Sequence, residues 1–257
     1  MPEKNQTNAT RYAVEGSIAR ITLNRAEKRN ALNDELIAGI KSGLHAAADE
    51  PSVRAVVIRA AGKDFCAGAD LSALQKISGA SITENTADAH SLMDLFTLMR
   101  ELPIPVIAAV QGRALAGGCG LASAADLVLA AESARFGYPE VKLGFVPAMV
   151  MAILKRNVSE KQAFELLTLG GEITARRAYE VGLVNEVFTD ETFETEVQSY
   201  VSVFEKMSKS AVALSKALLY QIDGLAFREA IVTGADVNVI ARLSEDCQQG
   251  ISGFLKK

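Results

Sequence analysis

Three apolar runs, each handed over to small or turn-forming residues, constrain this chain most. They are "VRAVVIRA" (Val53 to Ala60), "PIPVIAAVQG" (Pro103 to Gly112) and "DLVLAAESARFGYPE" (Asp126 to Glu140). The first two are short and rich in β-branched and aliphatic residues, the mark of strands covered on both faces. The third reads as a strand and a turn. Helical patterns lie between the first two. Asn33 opens "DELIAGIKSGLHAAADE", which has acids in its first turn and Pro51 after its end. Thr83 to Leu102 places Leu92, Leu95, Phe96 and Met99 at helical spacing. Ahead of these, "RYAVEGSIARITLNR" reads as an antiparallel hairpin around Gly16. From Ala148 onward the pattern is almost wholly helical. Ser159 and Gln162 form a capping box, and Thr174 caps another short helix. "ETEVQSYVSVFEKMS", "SAVALSKALLYQID" and "AFREAIVTGADVNVIARLSEDC" read as three amphipathic helices. Strands alternating with helices early, and helices alone late, predict an α/β core with a helical C-terminal region.

The 257 residues, 49% of them hydrophobic, fit one large domain with an appended helical piece. We divide the chain into a polar flexible arm (1–10), an α/β core (11–195) and a helical C-terminal region (196–257). A net charge of −4 argues against nonspecific nucleic-acid binding and against a membrane-surface role. No secretory h-region and no run of membrane-spanning length is present. Cys66, Cys119 and Cys247 form no CxxC and no metal-ligand cluster with the two histidines. An odd count of thiols without a signal peptide suggests a cytoplasmic protein.

Glycine costs stability in regular structure, so "GRALAGGCG" (Gly112 to Gly120) asks for a reason. It is neither a Walker loop nor a full G-x-G-x-x-G. It precedes a short helix predicted through Leu121 to Ala124, whose start would offer free N–H groups to a negatively charged oxygen. A tight turn packing a helix on a strand fits the spacing as well. "DFCAGADL" (Asp64 to Leu71) is a second strand-to-loop handover. Two such loops from neighbouring strands can aim one N–H each at a common point, an oxyanion hole made of backbone. Glu140 follows Pro139 in a segment short of other polar groups. His45 reads as a helix-surface residue. Cys66 and Cys119 lie inside the two loops without a histidine to activate them, as small buried thiols do. Asp70 reads as an anchor accepting backbone N–H bonds, and Asp126 as an anchoring acid at a strand start.

Taken with "ITLNRAEKRNALNDEL" and "ARRAYEVGLVNEVF", these stretches in this order resemble the crotonase superfamily, the enoyl-CoA hydratases and isomerases, over nearly the whole chain. The resemblance implies a core of stacked ββα turns. It also implies C-terminal helices that make trimers, often paired into hexamers. It implies an acyl-CoA thioester as substrate, with no metal or redox cofactor beyond the CoA that the substrate carries. The N–H groups of Ala69 and Gly117 would hold the thioester oxygen as it becomes an enolate, each worth roughly 3 kcal/mol in the transition state. Lys28, Arg29, Ala31, Ala67, Ala69, Asp70 and Leu71 would meet the CoA moiety, the adenine being read mainly by backbone of the 67–71 loop. Lys256 and Lys257 would reach a neighbouring subunit's ligand. His90 lies where some relatives contribute a pocket side chain, and Val146 to Leu154 would line the acyl pocket.

One departure matters. Family hydratases usually carry two glutamates holding one water, at the positions of Gly120 and Glu140, and only Glu140 is present. A single carboxylate moving a proton from one carbon to another suits 3-enoyl to 2-enoyl-CoA isomerisation. The rivals are a hydratase using Glu140 alone, a decarboxylase, and a non-catalytic CoA-binding oligomer.

Overall fold

The computed structural model describes residues 9–256. β1 (Thr10–Glu15) and β2 (Ile18–Leu23) form the hairpin, with Gly16 at φ +61° in its two-residue turn. α1 (Asp34–Asp49) follows, Asn33 accepting from the Leu36 amide at its start. Next come β3 (Ala55–Ala60), α2 (Leu71–Gly79), α3 (Ile82–Glu101) and β4 (Val106–Val110). β5 (Arg113–Leu115), α4 (Gly117–Ser123), β6 (Leu127–Ala131) and β7 (Arg135–Gly137) lead into a 3-10 turn over Pro139–Leu143. Then come α5 (Ala148–Asn157), α6 (Glu160–Leu169), β8 (Glu172–Thr174), α7 (Ala175–Glu180) and β9 (Glu186–Phe188). α8 (Phe193–Ser202), α9 (Lys209–Gln221), α10 (Phe227–Leu243) and α11 (Glu245–Leu255) complete the chain.

Six strands form one sheet in the order β1-β2-β3-β4-β6-β9, parallel from β2 onward. The period of two along each strand divides the core. Ile21, Val56, Ile58, Val106, Ala108 and Val110 face the large core that α1, α3 and α4 cover. Ile18, Ala55, Val57, Ile107, Ala109 and Leu129 face the other way, under Phe193, Val197 and Val201 of α8. The central strands β4 and β6 are apolar throughout because both faces are covered.

A second stack runs beside the first. After β2, β3, β4 and β6 the chain makes a short crossing segment before its next helix. Leu32 bridges Ala69, Cys66 bridges Ala114, and β5 pairs with β7, all parallel. β8 closes this stack antiparallel on β7. Strand, crossing segment and helix repeat along the chain, the stacked ββα arrangement that the resemblance implied; the crossing segments carry Lys28, Arg29, Ala31, Ala67, Ala69 and Asp70, with Gly117 at the start of α4 and Glu140 in the turn after β7.

The C-terminal helices are tied to this core by one buried cation. Lys216 on α9 donates to the carbonyls of Met99 (2.8 Å) and Ile104 (3.0 Å) and pairs with Asp126 at 2.7 Å. Asp126 also accepts from the Val106 amide and the Tyr220 hydroxyl, so it is the strand-start anchor the sequence suggested. Burial pulls the Lys216 ammonium down, and Asp126 opposes that pull.

Several expectations need correction. Residues 1–8 lie outside the described chain, but Ala9 and Thr10, assigned to the arm, are buried and Thr10 opens β1. The boundary drawn at 195 falls inside α8. The region after Ala148 is not purely helical: β8 and β9 lie within it, and β9 joins the main sheet. The last predicted helix is two, because Ser244 ends α10 and caps α11. The short helix expected from Leu121 begins at Gly117, so the glycines build the helix itself. Among the described residues no helix is long and apolar enough to cross a membrane.

Candidate functional site

The loop 64–71 is held from both sides. Toward the N-terminal motif, Ala67 donates to the Arg29 carbonyl, Leu32 to Gly68, and Asp70 to Leu32. Toward β5, Cys66 donates to the Arg113 carbonyl and accepts from Leu115. Ala69 sits between the two bonds that fasten Leu32, and its own N–H takes no part in this pairing.

The second loop turns sharply at Ala116, with φ +50° and ψ −127°. A non-glycine residue there is strained by roughly 1–3 kcal/mol. The bond from the Ala116 amide to the Gly137 carbonyl (2.8 Å) helps to hold it. That ψ sets the plane of the next peptide and so the direction of the Gly117 N–H. Gly117 is the first residue of α4, where amides have no partner within the helix. The two loops touch: a Cβ built on Gly68 would lie 3.0 Å from Cβ of Ala116, and one on Gly117 3.0 Å from Cδ1 of Leu32. At Gly118 a Cβ would fall 2.3 Å from the Cys66 carbonyl oxygen, so only glycine lets α4 approach this closely. The structure thus brings Ala69 and Gly117 into adjacent segments, each with an amide left out of the surrounding pairing.

Glu140 sits in the 3-10 turn after β7 and is half-buried. Its Oε2 is buried and has no hydrogen-bond partner among the described residues. Burial holds its carboxyl above the usual glutamate range. It lies close enough to Cys119 of α4 to add to the effect of burial, which pushes that thiol up to about 11. Cys66 is pushed by burial up to about 12. Neither thiol is a nucleophile near neutrality, as the sequence suggested.

The space at Gly120, where the resemblance would put a second glutamate, is filled. A Cβ on Gly120 would lie 2.3 Å from Cγ1 of Val150 and 3.3 Å from Cζ of Phe96. Val150 belongs to the 146–154 stretch read as acyl-pocket wall, of which Val146 and Met151 are exposed and Leu154 is buried.

Of the residues expected to meet CoA, 28–31 and 67–71 do come together. Lys28 and Arg29 are exposed and form no ion pair among the described residues, while Ala31 is buried. Leu71 opens α2, and Lys257 lies outside the described residues. Asp70 anchors its loop as expected, accepting from the Ser72 amide (3.0 Å) and hydroxyl (2.9 Å). Its strongest partner was not foreseen: Arg25 reaches it at 2.7 Å and also donates to the Ala31 carbonyl at 2.6 Å. The Arg25 and Ser72 contacts hold the Asp70 carboxyl down to about 2. His45 and His90 are exposed on α1 and α3. No group of three or more His, Cys, Asp or Glu side chains able to hold a metal occurs among the described residues.

The family model described as enoyl-CoA hydratase/isomerase matches residues 13–257. The chain belongs to the enoyl-CoA hydratase/isomerase family. A Thermus thermophilus relative whose name includes enoyl-CoA hydratase is 39% identical over 242 residues, 94% of this chain and 96% of its own. A crotonyl-CoA hydratase of Syntrophomonas wolfei is 35% identical over 95% of this chain and 93% of its own. An enoyl-CoA hydratase structure from Mycobacterium smegmatis superposes with a TM-score of 0.91 at 32% identity, covering 96% of each chain. As a member of the enoyl-CoA hydratase/isomerase family, the chain is an enzyme, a hydro-lyase or an isomerase acting on an acyl-CoA.

Proposed function

We propose that this family member moves the double bond of a 3-enoyl-CoA to the 2-position with one acid–base group, Glu140. The unpartnered, buried Oε2 of Glu140 carries the reading. A carboxylate deprived of donors and of water is a stronger base, and the thioester α-proton is a weak acid that needs one. Glu140 takes the proton from C2. The electrons move onto the thioester oxygen, which receives the N–H groups of Ala69 and Gly117. The same carboxyl then returns its proton to C4, and the double bond settles between C2 and C3. No atom is gained or lost, so no second acid is required.

The packing of Val150 and Phe96 on Gly120 supports this choice, because a second glutamate and its water would need that volume. Hydration by Glu140 alone is the second reading, favoured by the hydratase names of the relatives. Lys28 and Arg29, exposed and outside any ion pair among the described residues, suit the CoA phosphates. A homotrimer or dimer of trimers is supported by exposed Phe227, Ile231, Leu243, Phe254 and Leu255 on α10 and α11. The unpaired thiols Cys66, Cys119 and Cys247 support a cytoplasmic place of action.

The test is a paired assay with product mass. 3-Hexenoyl-CoA and crotonyl-CoA are incubated with the wild type and with Glu140→Gln. A product of unchanged mass from the first substrate alone, lost in the variant, is expected. Water added to crotonyl-CoA would move the assignment to hydration. Full turnover by Glu140→Gln would end the role of Glu140 in either reaction.

A further inference from the structure

Tyr138 is fully buried, and the reaction above makes no use of it. Its hydroxyl lies 2.8 Å from Ser123 Oγ, and Ser123 Oγ lies 2.7 Å from the Cys119 carbonyl oxygen. A serine hydroxyl has one proton, and this one goes to the Cys119 carbonyl, so Tyr138 donates to Ser123. Through Ser123 the Tyr138 hydroxyl is thereby linked to the Cys119 carbonyl, with Cys119 and Ser123 both on α4. Asn157 fastens the same point of α4 to α5 through the Ser123 carbonyl, at 3.1 Å.

The place of this Tyr138–Ser123–Cys119 chain of hydrogen bonds gives it a purpose. Gly117 lies two residues before Cys119 on α4, and Glu140 lies two residues after Tyr138. Beyond the bond from Ala116 to Gly137, the Tyr138–Ser123 bond is a second tie between the helix bearing one oxyanion donor and the turn bearing the acid. The geometry points to Tyr138 as a positioning residue, whose hydroxyl fixes α4, and with it the Gly117 N–H, against the Glu140 carboxylate. This rests on the proton-transfer reading of Glu140 and Gly117. Having no exposed surface, Tyr138 acts through that spacing and not by touching substrate. Small misplacements of such groups cost rate heavily, while ground-state binding feels them little.

The experiment uses Tyr138→Phe, which keeps the ring and removes the donor, and Ser123→Ala, which removes the acceptor from the other side. Both are assayed on 3-hexenoyl-CoA beside Glu140→Gln, at a temperature where each is folded. We expect kcat to fall about tenfold in either variant, with KM within about twofold of wild type. The acid limb of the pH profile should stay in place. The double variant should be no slower than the slower single, because both break the same Tyr138–Ser123 bond. Should one variant fail to fold, the kcat–KM split of the other decides. Wild-type kcat in a folded variant, or losses that multiply in the double, overturns the assignment while an inactive Glu140→Gln keeps the proton-transfer reading. An active Glu140→Gln overturns both.

Discussion

Gly120 and Val150 are packed so closely that a Cβ on the glycine would lie 2.3 Å from Cγ1 of the valine. Cζ of Phe96 would lie 3.3 Å from the same Cβ, so the added methyl is crowded by a second side chain as well. Exchanging glycine for alanine in a helix ordinarily gains about 1 kcal/mol. Here overpacking, at about 1–3 kcal/mol, should outweigh that gain, and Gly120→Ala should be less stable than wild type. Val150→Ala alone should lose about 1–2 kcal/mol to a cavity. Combined, the two should restore part of each loss, because the new methyl enters the space the valine left. Urea unfolding of all four proteins measures this. Strictly additive losses would mean that the two positions do not share the space.

The same contact bears on reaction type through Glu140. Its carboxyl is raised by burial and must be ionised to take a proton. Activity should therefore fall on acidification at a pH above the ordinary glutamate range of about 4.3. The stability effect has the opposite sign. A carboxyl whose pKa is raised on folding disfavours the native state at pH values above its unfolded pKa. That cost disappears as pH falls through the folded pKa. Glu140→Gln should thus melt higher than wild type at pH 7, and the gap should narrow toward pH 4. A variant inactive yet less stable at pH 7 would show that the carboxylate makes a favourable contact in the folded protein.

What could be read from the sequence was what is local. Asn33, Ser159 and Thr174 cap their helices because capping needs only a hydroxyl or amide two or three residues from the amide it accepts from. The buried strands announced themselves because both faces are covered. β8 and β9 did not, since three residues carry no period and their identity comes from pairing with distant strands. Ser244 ends one helix and starts another with neither glycine nor proline to mark it. In the candidate site, the glycine-rich Gly112–Gly120 stretch, the 64–71 loop and Glu140 were picked out by order and spacing. Phe96 and Val150 were seen as apolar residues, but their convergence on Gly120 is a tertiary fact. So is the strained φ of Ala116, which no local rule asks of an alanine.

Arg25 and Asp70 are 45 residues apart and meet beside Ala69. The pair is largely buried, and the bond is charge-assisted at 2.7 Å. Asp70→Asn keeps the shape and removes the charge, so it should cost about 2 kcal/mol at pH 7. The sign of the pH dependence follows from the depressed carboxyl. Its contribution is complete above the ordinary aspartate range of about 3.9 and is lost as pH falls toward about 2. Wild type and variant should therefore differ most near neutrality and converge in acid. Because Asp70 directly follows the residue whose N–H would face the thioester oxygen, kcat should fall along with stability. Arg25→Lys should not substitute for arginine, since one ammonium cannot match the fork that reaches both Ala31 and Asp70. Urea unfolding at pH 7 and pH 3 is the check. An equal loss at both would mean that packing, and not the ion pair, holds the Ala69 loop in place.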